Sequence, residues 1–504
     1  MSVAMDFVGK DFLDRPVPRS GPVLPDAGFA ARLAAEASDL QALLMLLGRA
    51  DPEACWGREK IGALLATMLV EIDQTINRQL NAILHHTVFQ ALEANWRGVA
   101  LLTDQAANDD HDGLTRVRVL DLSWRELTRD LSRAIEFDQS RLFAKVYSDE
   151  FGSPGGEPFG LILGAYGLSH RSSGGQANID ALKSLSQLAA AAFTPIVLNA
   201  NPSFFGVDSY PELSSISDLA SHFGQAELAG WRSLRAMEDS RFLGLAVPRI
   251  LMRQPYREVG QGPEGFRFRE ERHDPDRDYL WGHACFSAGT VAIRAFCESG
   301  WFAQIRGFRS GRIAHGTVDN LPAIQSISSA GRLFPTRSAV DWQISERMER
   351  VLADEGFLPV LPLANTGMLV LHSMPSVQSP QRFEKITAEV SARLSAMLHY
   401  TLCVSRFAHY LKVMGRDRVG GYRSPEECES QLQRWLHSYT MATEGASDEL
   451  RARFPLRDAS VSVRARAGEP GRYFSVIRLQ PHFQLDQLVT GMRLVTELTP
   501  VQDF

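Results

Sequence analysis

The sequence predicts a multi-domain protein of mixed α/β (α+β) class: a helical N-terminal region, a central α/β domain and a C-terminal α+β domain. Three observations carry this. Apolar residues recur at gaps of three and four over 61–84, the spacing of one helix face. Short apolar runs at 160–163 and 195–198 flank helically spaced Leu182, Leu185 and Leu188, the pattern of a parallel β–α–β unit. Towards the C-terminus Val461, Val463 and Ala465 alternate, Gly468-Glu469-Pro470-Gly471 turns, and 474–479 runs back as a hairpin. A chain of 504 residues exceeds one ordinary core, and it divides as 1–25, 26–100, 101–378 and 379–504.

Residues 1–25 hold Pro16, Pro18, Pro22 and Pro25 without periodicity. They make an extended arm that cannot bury itself; a disordered tail and a strand lent to a neighbour both fit. An alanine- and leucine-rich helix follows over 26–47, ended by Gly48.

The stretch 61–99 organises the chain. Ile61, Leu64, Leu65, Met68, Leu69, Ile72, Ile76, Leu80, Ile83 and Leu84 form one continuous stripe. After His85-His86, Thr87 and Gln90 have the spacing of a capping box. It opens a second helix with Phe89, Leu92 and Trp96 as its apolar side and Gly98 at its close, so that the two form a helical hairpin.

Beyond the hairpin, 115–122 alternates as a strand, and Trp124, Leu127, Leu131 and Ile135 mark a helix. A buried strand is expected at 244–247 before Pro248, a helix over 280–296 and a strand at 303–306. A glycine-rich loop (Gly307, Gly311, Gly316), a helix over 345–355 and strands at 357–360 and 368–371 follow. The boundary falls at 376–380. Helices then cover 383–412 and 425–439, and after the hairpin a last helix carries Leu485, Leu488, Val489, Met492, Val495 and Leu498, with Arg493 on another face.

Composition narrows the function. A net charge of −6 argues against a dedicated nucleic-acid binder, which carries a basic surplus. Six of the basic residues are lysine and 47 arginine, a bias that both interface chemistry and a GC-rich genome produce. Cys55, Cys285, Cys297, Cys403 and Cys428 are odd in number and scattered, so they read as free thiols of a reducing compartment. With no charged-then-apolar leader and no membrane-length apolar run, a cytoplasmic location is expected.

The chemical motifs do not assemble into a site. No phosphate-binding glycine loop follows a strand, and at Gly152-Ser153-Pro154-Gly155-Gly156 the next residues are Glu157, which repels phosphate, and Pro158, which lacks a donor. Adjacent helical residues such as His85 and His86 project about 100° apart and do not converge on one metal. Asp109-Asp110-His111-Asp112 lacks the glycine and distal glutamate of a calcium loop and reads as a solvated turn. Gly167-Leu168-Ser169-His170 is followed by Arg171 where a nucleophile elbow needs glycine. Cys403, between His399 and His409 in an apolar stretch, reads as a core thiol. Arg406, His409, Lys412 and Arg416 read as an ion-pairing interface or a solvated face rather than an RNA patch. No cofactor, metal or catalytic residue is expected; an enzyme would need a hidden constellation around His283, Cys285 and Asp278.

The string HHTVFQALEANWRGV over 85–99, preceded by Ile72-Asp73 and Gln79-Leu80, closely resembles the large subunit of the type VI secretion contractile sheath (TssC/VipB family, EvpB-type). The likeness continues in collinear order through 149–152 and 155–160, then at Trp231-Arg232-Ser233-Leu234-Arg235, 238–241 and Val247-Pro248-Arg249-Ile250-Leu251. It covers Tyr279-Leu280-Trp281-Gly282, Ile305-Arg306-Gly307, Pro335-Thr336, 405–412, 479–486 and Leu494-Val495. Thr87-Val88 stands where the family shows Pro-Asp, and His283-Ala284-Cys285-Phe286 where it shows Asn-Ala-Ala-Tyr. Stretches 365–368 and 377–380 lack its usual Lys and Asp. These departures mark a divergent member.

The resemblance implies a structural protein, not an enzyme. It would pair with a small sheath subunit (TssB/VipA-like), polymerise helically around an inner tube (Hcp-like) and stand on a membrane-docked baseplate. A ClpV-type AAA+ ATPase would dismantle the contracted form, and the energy of contraction would lie in a metastable extended lattice. Leu65, Leu69, Ile72 and Ile76 would face the small subunit, and Leu485, Leu488, Met492 and Arg493 the tube. The alternative within the same class is the sheath of a phage-like contractile injection particle. Neither nucleic-acid binding nor membrane insertion is implied.

Overall fold

The computed structural model describes residues 32, 35–36, 38–50, 57–153, 155–169, 175–216, 218–256, 266, 268–271, 279–308, 315–322, 324–327, 333–363, 366–417, 425–443, 446–465, 473–482 and 492–498. Two compact units emerge: Met1–His86 with Pro255–His273, and Thr87–Gln254 with Asp274–Phe504. The 1–25 arm lies outside the described residues.

In the first unit, helix α1 (Asp39–Ala50) runs through Gly48, where the sequence suggests an end; most of 26–38 lies outside the described residues. Asp39 places a negative charge on its first turn, favourable to the helix dipole. One glycine costs a helix only about 1 kcal/mol, too little to end it there. Helix α2 (Arg58–Leu84) spans 27 residues, as its apolar stripe predicts.

The second unit opens with α3 (Thr87–Asp109), which does not close at Gly98. Gly98 is buried mid-helix, and a Cβ there would run into the Phe286 ring. The glycine therefore sets how closely α3 approaches its neighbour, and the buried face is Ala94, Gly98, Leu102 and Gln105. Segment 115–122 is extended but joins no ladder among the described residues. Its alternation instead aims Arg116 at Glu157 (2.7 Å) and Arg118 at Glu150. Helix α4 (Trp124–Arg133) begins with a complete Ser123/Glu126 capping box and buries Leu127 and Leu131. Ile135 lies past its end and is 90% exposed.

The central elements are β1 (Ile162–Leu168), α5 (Gly175–Ala192), β2 (Ile196–Ala200), α6 (Ala229–Arg235), β3 (Leu243–Val247) and β4 (Ile250–Arg253). Then come β5 (Leu280–Gly282), α7 (Cys285–Ser299), β6 (Thr317–Val318), β7 (Ile324–Ile327), β8 (Leu333–Arg337), α8 (Glu346–Asp354), β9 (Phe357–Pro362) and β10 (Leu369–Leu371). The six-stranded sheet runs β1-β2-β3-β9-β10-β6, its first four strands parallel, β10 antiparallel to β9, and β6 antiparallel to β10. The expected β–α–β unit is β1–α5–β2. Two of the other expectations change. The start of the 280–296 helix is strand β5, paired with β4, and 303–306 bends into Gly307 (φ 78°) instead of forming a strand.

Parallel strands covered on both faces read as continuous apolar runs. Ile196, Leu198, Leu243, Leu245, Val247 and Phe357 enter one core with Leu182, Leu185, Leu188 and Trp231. Val197, Ala246, Leu358 and Val360 enter a second with Phe286, Val291 and Leu102. The alternation is that of a pleated strand. Between Leu163 and Gly167 the register of β1 against β2 slips. The Asn199 amide fills the gap, donating to the Gly164 carbonyl (3.1 Å) and accepting from the Cys285 N–H (2.8 Å) that opens α7.

The C-terminal part contains α9 (Ile386–Ser395), α10 (Leu398–Asp417), α11 (Pro425–His437), α12 (Asp448–Arg453) and strands β11 (Leu456–Ala465), β12 (Tyr473–Pro481) and β13 (Met492–Leu498). The hairpin pairs Val461 with Ile477. A third core forms where Phe407 stacks on Trp301 (centroids 4.0 Å apart) beneath Leu432, Leu436 and Ile477.

The expected last helix is corrected in its second half: Met492, Arg493, Val495 and Leu498 lie on strand β13, antiparallel to β12, with Met492 opposite Leu479 and Leu498 opposite Tyr473. Met492, Leu494 and Leu498 also fit a period of two, and the neighbouring strand decides between the periods. Leu485, Leu488 and Val489 lie outside the described residues.

Gly98→Val is expected to lower unfolding free energy by about 1–3 kcal/mol through overpacking against Phe286. Pairing it with Phe286→Ala should recover part of that loss, as read by urea denaturation of both variants.

Candidate assembly surfaces

The first unit joins α2 to the described part of 255–273 through side-chain amides. Asn77 and Asn81 are one helical turn apart, on the same face. Asn77 Oδ1 accepts from the Arg269 N–H (2.9 Å) and Asn81 Oδ1 from the Glu271 N–H (2.9 Å), while Asn81 Nδ2 donates to the Arg269 carbonyl (3.2 Å). Between them Glu270 is buried, meeting His85 Nε2 at 3.2 Å and accepting from the Tyr256 N–H. His85 is thus committed to a carboxylate within its own unit. Sequence reading missed this strap; its signal was two asparagines four apart on one face of an amphipathic helix.

The rest of α2 presents apolar residues outward. Leu69 is 62% exposed, and Val70, Ile72 and Ile76 are exposed as well; Leu65 is half-buried. In the second unit α3 carries a separate exposed row one turn apart, Val88, Leu92 and Trp96, with Trp96 61% exposed. Trp96 and Leu92 therefore do not form the buried side expected of them. Ala94, Gly98 and Leu102 do. Of the residues expected at the tube, Met492 and Arg493 sit on β13, and Leu485 and Leu488 lie outside the described residues.

The basic stretch of α10 is not the solvated face expected as one alternative; it turns inward. His409 Nε2 bonds the Ala192 carbonyl (3.2 Å) and Lys412 Nζ donates to that of Ala191 (3.2 Å), both at the C-terminal end of α5. Those carbonyls lack helical partners and carry the negative end of the dipole. Lys412 also lies over the rings of Tyr147, Phe151 and Phe193 at 4.7–5.1 Å. Arg416 donates to the Glu150, Phe151 and Ser153 carbonyls. Three side chains spaced along one helix, the His409 imidazole and the Lys412 and Arg416 cations, thus hold α10 to the central domain's backbone. Burial pushes Lys412 down to about 8, and burial together with Arg406 pushes His409 down to about 3.

The motifs weighed for chemistry are occupied by structure. In the 152–156 loop the Glu150 carboxylate takes the Glu157 N–H (2.8 Å) and the Arg118 guanidinium, and a Cβ on Gly156 would collide with the Glu150 carbonyl. Asp110 accepts from the Leu114 and Thr115 N–H groups, and the Leu114 bond leads in holding its carboxyl below the usual range. Ser169 follows the end of β1, and His170 lies outside the described residues. Burial pushes the Cys403 and Cys285 thiols up to about 12 and His283 down to about 4, so neither thiol is a thiolate at neutral pH. Asp278 is outside the described residues. Among the described residues no three His, Cys, Asp or Glu gather to hold a metal, and no helix is long and apolar enough to cross a membrane.

Exposed apolar rows on two helices, one in each unit, have the character of protein-interaction surfaces. Residues 66–378 match the EvpB/VC_A0108 tail sheath N-terminal domain, and 387–498 match the gpW/gp25-like domain of the same tail sheath. The chain belongs to this family of type VI secretion tail sheath proteins, on the large-subunit side. It is 35% identical over 446 residues to the type VI secretion system sheath protein TssC1 of Pseudomonas aeruginosa, covering 87% of this chain and 86% of that protein. A solved sheath tail protein of Desulfitobacterium hafniense aligns at 7% identity with a TM-score of 0.31, over 64% of this chain and 60% of that one. Family membership implies pairing with a small sheath subunit and polymerisation, a structural role.

His409 exchanges no proton in the folded state until well below its unfolded value of 6.5. Its stability contribution is therefore full above pH 6.5 and lost as pH falls from there towards 3, with a slope of up to about 1.4 kcal/mol per pH unit. His409→Gln can keep the donor to Ala192, and its urea midpoint should fall less steeply than the wild type's between pH 6.5 and 4.

Proposed function

We propose that the chain co-polymerises with a TssB/VipA-like small subunit around an Hcp-like inner tube and contracts to propel that tube into a target cell. The observation that carries this is the exposed apolar row of α2, Leu69, Val70, Ile72 and Ile76, which a lone monomer would leave wet. The small subunit covers this row, with Leu65 at its margin, and the Val88, Leu92 and Trp96 row of α3 offers a second apolar surface. The extended lattice stores the energy of contraction in a bistable packing of rigid bodies. A ClpV-type AAA+ ATPase acts on the contracted form, and the assembly stands in the cytoplasm on a membrane-docked baseplate.

The domain division at 379 is part of the same proposal. The break between the family matches, after 378 and before 387, supports it. A filament that keeps its tethers while subunits rotate needs heterologous contacts, and lent strands supply them. The 1–25 arm or the β11–β12 hairpin takes part in that exchange, and the terminal segment with Leu485, Leu488, Met492 and Arg493 faces the tube.

Co-expression with the small subunit, read by negative-stain microscopy, tests these assignments together. Hollow tubules of cogwheel section are expected from the wild type. Leu69→Asp with Ile72→Asp should abolish pairing, lowering affinity at least tenfold in pull-down while leaving the thermal midpoint of the chain within a few degrees. Deletion of 1–20 should yield short or unstable tubules, and normal contraction without these residues removes the arm from the exchange. Leu488→Asp or Arg493→Glu should weaken tube engagement; unchanged co-sedimentation of the tube refutes that face.

A further inference from the structure

The sheet β11-β12-β13 has β11 at one border, and side chains and neighbouring backbone take several of the β11 backbone groups that point away from β12. Gln433 Nε2 donates to the Ala459 carbonyl (2.7 Å) and Gln433 Oε1 accepts from the Val461 N–H (2.8 Å). Glu429 Oε2 accepts from the Val463 N–H (2.8 Å). Further along, Leu456 pairs with the backbone of 439–441, its N–H donating to the Tyr439 carbonyl and its carbonyl accepting from Met441 (2.9 Å). Even the Ala459 N–H is taken, by Asp458 Oδ1 (2.9 Å).

The fit is metrical. Residues four apart on a helix stand about 6 Å apart along its axis, close to the roughly 6.8 Å between strand residues two apart. Glu429 and Gln433 can therefore meet Val463 and Val461 in turn, α11 running antiparallel to β11 as a paired strand would. On the adjacent row Cys428, Leu432 and Leu436 are buried in the core, which fixes the rotation of α11 about its axis and aims the polar row at the strand edge.

We propose that α11 serves as a side-chain surrogate for a fourth strand, sealing the outer edge of β11 against pairing with an extended segment of a second copy of this chain. An unsealed edge strand is a template for strand addition. In a chain that polymerises, a border open to chance pairing would compete with ordered assembly, and with this border closed any strand exchange by the hairpin takes place on its β12 side. Gln433 offers that border both a donor and an acceptor, and Glu429 a further acceptor. The seal stands on these hydrogen bonds, and only its benefit to sheath assembly rests on the polymerisation proposed above.

The test compares full-length wild type, Glu429→Ala/Gln433→Ala and Glu429→Gln, first by residue-resolved amide hydrogen exchange. The double variant should speed exchange at Val461 and Val463 at least tenfold, while Ser460 and Ser462, which face β12, change little. Glu429→Gln retains an acceptor and should stay near wild type. Sedimentation velocity without the small subunit should then show self-association of the double variant at concentrations where the wild type and Glu429→Gln do not associate. If the double variant does not fold, Glu429→Ala alone is read at Val463. Unchanged exchange at Val461 and Val463 overturns the seal, and so does faster exchange with no gain in self-association. A wild type that forms no tubules with the small subunit would count against the assembly reading while leaving both readouts of the seal in force.

Discussion

The Asn199 amide is the constraint through which the central domain is assembled. It stands at the end of a buried parallel strand, where a polar side chain is costly unless every group is used. Its Nδ2 reaches back to the β1 carbonyls left out of register, and its Oδ1 takes the first free N–H of α7. One side chain thus fixes the bulge in one strand, the phase of its neighbour and the entry point of the helix across the sheet. The second core, with Phe286 and Val291 facing Val197 and Leu358, is laid out from that entry point. The close approach of α3 at Gly98 follows, because the ring it meets is on the second residue of α7.

A second anchoring device holds the C-terminal helices to this platform. Lysine and histidine at the end of α5, and arginine over three loop carbonyls, exploit the charge of backbone carbonyls. Backbone carbonyls do not titrate, so these hydrogen bonds do not depend on the protonation of an acidic acceptor. Their pH sensitivity lies in the donors, His409 and Lys412, whose pKa values burial lowers. The three rings around Lys412 offset part of the cost of burying its charge, which an isolated ammonium in an apolar site would bear in full.

Legibility in the sequence followed the range of the interaction. Helix α2, the β1–α5–β2 unit and the β11–β12 hairpin are set by local period and turn chemistry, and the expected elements are present with ends displaced by a few residues. Segment 115–122 alternates like a strand because alternate arginines seek carboxylates, a purpose that periodicity alone does not distinguish from a ladder. The last segment shows the converse: its apolar spacing suits a helix, yet β12 offers a complete edge and the pairing wins. The basic run of α10 looked like surface because charge is usually wet; the helix end that receives it is more than 200 residues distant in sequence. The Asn77 and Asn81 strap was equally hidden, since its partner backbone lies 188–192 residues away. The residues expected at the small subunit sit largely outward on α2, an arrangement the stripe itself could not reveal, because core and interface share one apolar alphabet.

The exposed indole of Trp96 has an optical consequence. Trp231, Trp281, Trp301 and Trp342 are buried and Trp124 and Trp435 half-buried, which leaves Trp96 as the one exposed tryptophan among the described residues. An indole in water emits further to the red than one in an apolar environment, so the α3 row carries its own chromophore. Any partner that covers this row shifts that emission to the blue and shields it from a soluble quencher, turning association into a colour change without an added label.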